Sequence, residues 1–179
     1  MKKAFNELPN SSKVWVYQAR EPLTTVLRDE IIAIGTDFIN SWESHGSSIP
    51  SSIDIFHNQF ILITADDCGD GLCGRAKDAQ VRLMQQLEMQ LKVVLTDRML
   101  TAYKDNDTIV SLNFNDFKTL AKKDVITPNT IVFNNLIETK EDFIINWETP
   151  AKNSWHKQFL SGKQEPTLQA VLPTQSFVL

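Results

Sequence analysis

Two cysteines, three histidines and six glycines in 179 residues leave little material for metal, redox or phosphate chemistry. The cysteine count excludes a disulfide scaffold, since small secreted frameworks are dense in that residue. Cys68 and Cys73 share one loop at CxxxxC spacing, which is not the CxxC arrangement that depresses a thiol pKa at a helix start. Two free thiols in a reducing compartment are expected. A zinc centre would need two more ligands from His45, His57 and His156, none of which stands at ligand spacing from another. No metal and no cofactor is expected. No apolar run approaches the roughly 20 residues that span a bilayer. Met1, Lys2 and Lys3 are followed by Asn6 and Glu7 rather than by the apolar stretch of a secretory signal, so a cytoplasmic protein is expected. Cations are scattered, with no cluster longer than a pair. With 18 basic against 22 acidic side chains the net charge is −4, a field that does not attract nucleic acid.

Half of the scarce glycines form the one phosphate-like pattern. Gly69, Gly71 and Gly74 stand at GxGxxG spacing between the apolar run Phe60-Ile-Leu-Ile-Thr-Ala65 and a helical stretch beginning near Arg75. A dinucleotide fingerprint puts its first glycine at the very end of the strand, so that the pyrophosphate meets the positive helix terminus. Here Asp66, Asp67 and Cys68 intervene, and Asp70 lies between the first two glycines. Carboxylates in that position repel the phosphates that the amides should attract. Val93-Val-Leu95 as a next strand and Asp97 as a ribose-binding acid complete only part of the pattern. The loop also mimics the first half of a calcium loop, but Lys77 falls where a bidentate glutamate is required. A solvated glycine turn is the expectation.

What the chain does contain is alternation. Lys13-Val-Trp-Val-Tyr-Gln-Ala19 reads as a strand. Leu23, Leu27, Ile31, Ile34, Phe38 and Trp42 then follow at steps of four and three, the stripe of a long amphipathic helix that His45-Gly46 is expected to end. Ile53 and Ile55 mark a short strand, and a tight turn at 57–59 returns it antiparallel into the run from Phe60 to Ala65. Val81, Met84, Leu87 and Leu91 mark a second helix. Arg98 to Tyr103 and Thr108 to Leu112 read as a further strand and its hairpin partner. The order strand, helix, strand, strand, helix, strand predicts an α+β fold, a ferredoxin-like βαββαβ antiparallel sheet with both helices on one face. A C-terminal β/α extension follows. Asn115 or Asp116 caps a short helix, Thr130-Ile-Val-Phe133 is a strand, and helical segments lie at 141–147 and 153–160. The predicted organisation is a core over 1–113, an extension over 114–160 packed on it, and a weakly ordered tail over 161–179.

Asp97-Arg-Met-Leu-Thr-Ala-Tyr103, Thr130-Ile-Val-Phe-Asn-Asn-Leu136 and Trp147-Glu-Thr-Pro-Ala-Lys-Asn-Ser-Trp-His156, together with Lys13-Val-Trp-Val-Tyr-Gln18, carry a resemblance. Over residues 1–160 the chain resembles a family of small uncharacterised bacterial proteins, many of which bear the label "ABC transporter ATPase". The resemblance implies a shared fold and a shared role. It does not bring ATP hydrolysis with it, because that chemistry needs the GxxxxGK[ST] loop and the chain has no such string.

The candidate binding residues are Arg82, Asp97, Arg98, Asn134, Trp155 and His156. Arg98 beside Asp97, with Arg82 on the second helix, would make an anion site, although an Asp97–Arg98 ion pair explains the dipeptide equally well. Asn134 and Asn135 after a strand suit ligand contacts or turn chemistry. Trp147, Trp155, His156 and Phe159 form an aromatic group that either locks the last segment down or lines a pocket with a titrating histidine. Two functions stay open: a cytoplasmic binding or protein-interaction module without ATPase activity, or a small-molecule-binding enzyme or sensor with its site near Asp97, Arg98 and His156. A homodimer is expected, with Gln169 to Leu179 lying across a neighbour as an added strand.

Overall fold

A run of six consecutive buried residues organises the chain. In the computed structural model, which describes residues 1–160, Phe60 to Ala65 are all buried. Successive strand residues point to opposite faces, so this strand needs cover on both sides. The chain supplies it with four layers.

The elements run in order as β1 (Lys13–Gln18), α1 (Thr25–Ser41), β2 (Glu43–Ser44), β3 (Ser47–Ser48), β4 (Ser51–Phe56) and β5 (Phe60–Ala65). There follow α2 (Gly74–Leu91), β6 (Leu100–Asp105), β7 (Thr108–Asn113), α3 (Phe114–Lys122), β8 (Ile131–Phe133), α4 (Lys140–Asn146) and β9 (Glu148–Pro150). Short 3-10 turns over Ala151–Asn153 and Trp155–Phe159 close the described chain. One antiparallel sheet has the order β1-β5-β4 and a second the order β7-β6-β8-β9. Ile61 and Ile63 pack with Ile31 and Ile39 of α1 and Leu83, Met84 and Leu87 of α2. Phe60 and Leu62 point the other way, against Ala102, Phe133 and Trp147. On the far face of the second sheet, Tyr103 and Val132 meet Phe117 and Ala121 of α3.

The α+β class and the antiparallel pairing are as the sequence predicts. The sheet order is richer. β6, expected as the fourth strand of a single sheet with helices on one face, pairs instead with β7 and β8. The physical reason is β5: helices on one face alone would leave Phe60, Leu62, Val14 and Val16 without cover. The second sheet combines β6 and β7, from before residue 113, with β8 and β9 from after it. The predicted tail, including the added strand at 169–179, falls outside the described residues.

Local signals moved by a few residues in places. α1 stops at Ser41, and His45-Gly46 is the two-residue turn of the small β2–β3 hairpin rather than a helix end. Both residues have positive φ, 53° and 81°, as a type I′ turn demands. Asn113, not Asn115 or Asp116, caps α3, its side chain accepting from both of those amides. Residues 93–95 form a loop. β9 has no alternation of its own to announce it.

At Gly35 α1 approaches the first sheet most closely: a Cβ there would lie 2.3 Å from Ile53 Cδ1. Gly35→Val is therefore expected to destabilise the protein by about 2 kcal/mol through overpacking, read as a fall in the urea midpoint at unchanged slope.

Candidate functional site

Among the described residues β1 is paired with a neighbouring strand along only one edge. Its odd-numbered residues exchange backbone hydrogen bonds with β5, continued by the Ala19 amide donating to Gln59 at 2.8 Å. The even-numbered residues consequently turn their N–H and C=O groups outward. At the near end this outer edge is closed: the Val14 amide donates to Glu138 O at 3.0 Å and Ser12 O accepts from the Lys140 amide at 2.9 Å. Further along, the Val14 carbonyl and the amide and carbonyl of Val16 have no backbone partner among the described residues.

A cleft of about 720 Å³ lies along this open stretch, within the range of ligand pockets. Trp15, Tyr17 and Val81 line one side, Phe133 and Ile137 the other, and Phe114 and Trp155 also border it. α2 presents Val81 because its amphipathic stripe packs on the first sheet, with Lys77 one turn earlier on the same face. The loop after α2 is held by Glu88, whose carboxylate accepts from the Leu95 and Thr96 amides at 2.6 and 2.7 Å and the Thr96 hydroxyl at 2.8 Å. Burial pushes that carboxyl up, but the three hydrogen bonds outweigh it and hold the pKa below the usual range.

The cleft's charge is mostly positive. Lys13, Lys77 and Arg98 border it, and none of the three makes an ion pair among the described residues. Asp97 is already taken by Arg20 at 2.8 Å, and its other oxygen accepts from the Met99 amide at 2.9 Å. Glu138 is the remaining carboxylate. The Tyr17 hydroxyl donates to Gln80 Oε1. Burial pushes its pKa up to about 12, against the lowering effects of that hydrogen bond and of Arg98, so the phenol stays a neutral donor at physiological pH.

One wall is an amide belt that joins the two sheets. Gln18 Nε2 donates to Ser111 Oγ at 2.9 Å and to Thr101 O at 3.4 Å. Its Oε1 accepts from Asn135 Nδ2 at 2.9 Å, and Asn135 Oδ1 accepts from Trp147 Nε1 at 3.0 Å. Gln59 Nε2 reaches the same Ser111 Oγ at 2.7 Å.

Of the six residues singled out from sequence, the fold brings three to this cleft: Asp97, Arg98 and Trp155. Arg82 sits on the opposite side of α2, over a shallow surface shared with Asp37 and Phe38 of α1. Asn134 caps its own turn, its side chain accepting from the Leu136 amide at 3.3 Å. His156 is fully buried behind Trp155, stacked on it at 3.9 Å and against Phe117 at 4.9 Å. Its Nδ1 lies 2.5 Å from Ser154 Oγ, and burial lowers its pKa to about 4. A neutral ring walled off by a tryptophan does not share the cleft with Asp97 and Arg98.

The expected aromatic group divides between two interfaces. Trp147 stacks on Phe143 at 4.6 Å and meets Phe60 at 5.1 Å between the sheets. Trp155 and Phe159 gather around Phe114 beyond the second sheet. Asp97 and Arg98 do not pair with each other, because Arg20 holds Asp97. Asn135, weighed with Asn134 for ligand contacts or turn chemistry, also lines the cleft, and the cleft residues that sequence reasoning did not single out are Trp15, Tyr17, Gln18 and Lys77. The one available signal was Gln18, an amide at an inward position of a strand. In the glycine loop the Cys68 amide donates to Asp66 Oδ1 at 2.9 Å and the Gly69 amide to Asp67 Oδ1 at 3.1 Å. The local carboxylates thus occupy two of the amide donors in this loop.

Two measurements bear on these assignments. Between pH 6.5 and about 4 the unfolded chain takes up a proton that the buried His156 ring refuses. Stability should therefore be full above pH 6.5 and fall by up to about 3 kcal/mol as the pH drops through that window. In urea titrations His156→Gln should show a shallower loss between pH 7 and pH 4.5. Gln18→Leu, which takes the acceptor from Asn135 Nδ2 and a donor from Thr101 O, should cost about 1–3 kcal/mol at pH 7. No protein-family model, no curated protein and no solved structure matches this chain.

Proposed function

We propose that this protein is a binding module that receives an anionic, partly apolar ligand in the cleft along β1, and that it does not hydrolyse ATP. One observation carries the reading. Lys13, Lys77 and Arg98 border an apolar cleft and form no ion pair among the described residues, against two lining carboxylates of which Arg20 already holds Asp97, in a chain whose net charge is −4. Cations kept free against an acidic background are matched to a negative partner. The walls of Trp15, Phe133 and Trp155 add apolar area and rings for stacking.

The lack of a GxxxxGK[ST] loop and the self-satisfied amides at Cys68 and Gly69 support the second half of the proposal. A catalytic reading centred on Asp97, Arg98 and His156 gains no support, since His156 stands outside the cleft. Among the described residues no helix is long and apolar enough to cross a membrane.

Indole-3-acetate, as an aromatic carboxylate of suitable size, should raise the melting temperature saturably at millimolar concentration, while ATP should not. Arg98→Gln and Lys77→Gln should each weaken that effect about tenfold, the equivalent of roughly 1.4 kcal/mol. A melting temperature unmoved by any organic anion, or moved in both variants as much as in the unsubstituted protein, refutes the proposal.

A further inference from the structure

An open strand edge next to a cleft offers more than volume. The Val14 carbonyl and both backbone groups of Val16 face the cleft with the spacing of a ladder. β6 does not fill that place, since it pairs with β7 and β8. The Gln18 side chain stands between the strands, taking Thr101 O as an acceptor. Among the described residues no strand pairs with this edge, and the buried Gln18 amide beside it is hydrogen-bonded at both its oxygen and its nitrogen.

Resting on the proposed function, we propose that the ligand is an extended acidic peptide segment of a partner protein, which adds to the first sheet as a strand beside β1. A peptide running along Val14 to Gln18 places three to four residues on the open groups, about 10–13 Å at the usual strand rise. Backbone hydrogen bonds to Val14 and Val16 supply affinity that does not depend on side chains.

The pleat then sorts the ligand's side chains into two sets. Odd residues of β1, Trp15 and Tyr17, point toward α2, so peptide residues on that face meet Lys77 and Arg98, and carboxylates fit there. Even residues, Val14 and Val16, point toward the second sheet, so peptide residues on that face meet Phe133 and Ile137, and aliphatic side chains fit there. The preferred ligand alternates acidic and aliphatic residues with a period of two.

Two of the chain's four tryptophans, Trp15 and Trp155, border the cleft and report on it. Titration of the full chain with a blocked hexapeptide of alternating glutamate and valine should change tryptophan fluorescence saturably. The same peptide N-methylated at alternate residues keeps its side chains and loses the donors on one edge. Of the two N-methylated registers, the one facing β1 should bind at least tenfold more weakly and the other near normally. Val16→Pro, which removes an outward N–H from an edge strand where proline is tolerated, should weaken the parent peptide to a similar degree.

Equal binding of both N-methylated registers and the parent overturns strand addition without recourse to any variant. So does binding of indole-3-acetate with no binding of the peptide, a result that would leave the anion-binding role standing. Peptide binding seen only after removal of residues 161–179 also overturns the proposal, because the edge would then already belong to the chain's own C-terminal segment.

Discussion

Everything in this molecule answers to the burial of β5 on both faces. Phe60 and Leu62 look toward one layer and Ile61 and Ile63 toward another, all four without exposed surface. Each such side chain is worth about 1.5–3 kcal/mol when removed from water, so an arrangement leaving one face wet would forfeit a large part of a small domain's stability. Helices alone cover one side. The second sheet exists to cover the other, and α3 with the terminal 3-10 turns then covers what that sheet would itself expose.

Two sheets joined face to face need polar groups only where ladders run out, and those places are recognisable. Gln18, Gln59, Ser111 and Asn135 form one seam. Glu148 forms another, bound by Lys104 and by His57 Nε2 at 2.5 Å. Burial there pushes the carboxyl up, and those hydrogen bonds and charges more than reverse it. The seams do not have equal consequences. The Glu148 seam closes the hairpin turn of the first sheet onto the second. The Gln18 seam links β1 to β6 and β7, and the cleft lies against it.

Much of the architecture was legible from local pattern. The stripe in α1, the tight turn at 57–59 and the β6–β7 hairpin are all short-range signals, and their elements appear within a few residues of where they were expected. The site was less legible. Asp97 and Arg98 were visible as a charged pair, yet their partner proved to be Arg20 for one and no ionic group among the described residues for the other. His156 resembled a functional histidine because one dimension cannot distinguish a ring facing a cleft from a ring behind Trp155.

The amino-acid order by itself determined most of the helices, strands and turns, and that carboxylates would crowd the glycine loop. These depend on side chains within a few positions of one another, such as Asn113 with the Asn115 and Asp116 amides. Tertiary structure alone decided which strand lies beside which. The contacts that border the cleft join residues far apart in the chain, as with Gln18 and Asn135 across 117 positions. No period in the sequence encodes such a pairing. It follows from the need to cover both faces of β5 at once, a condition met only when the whole chain has found its layers.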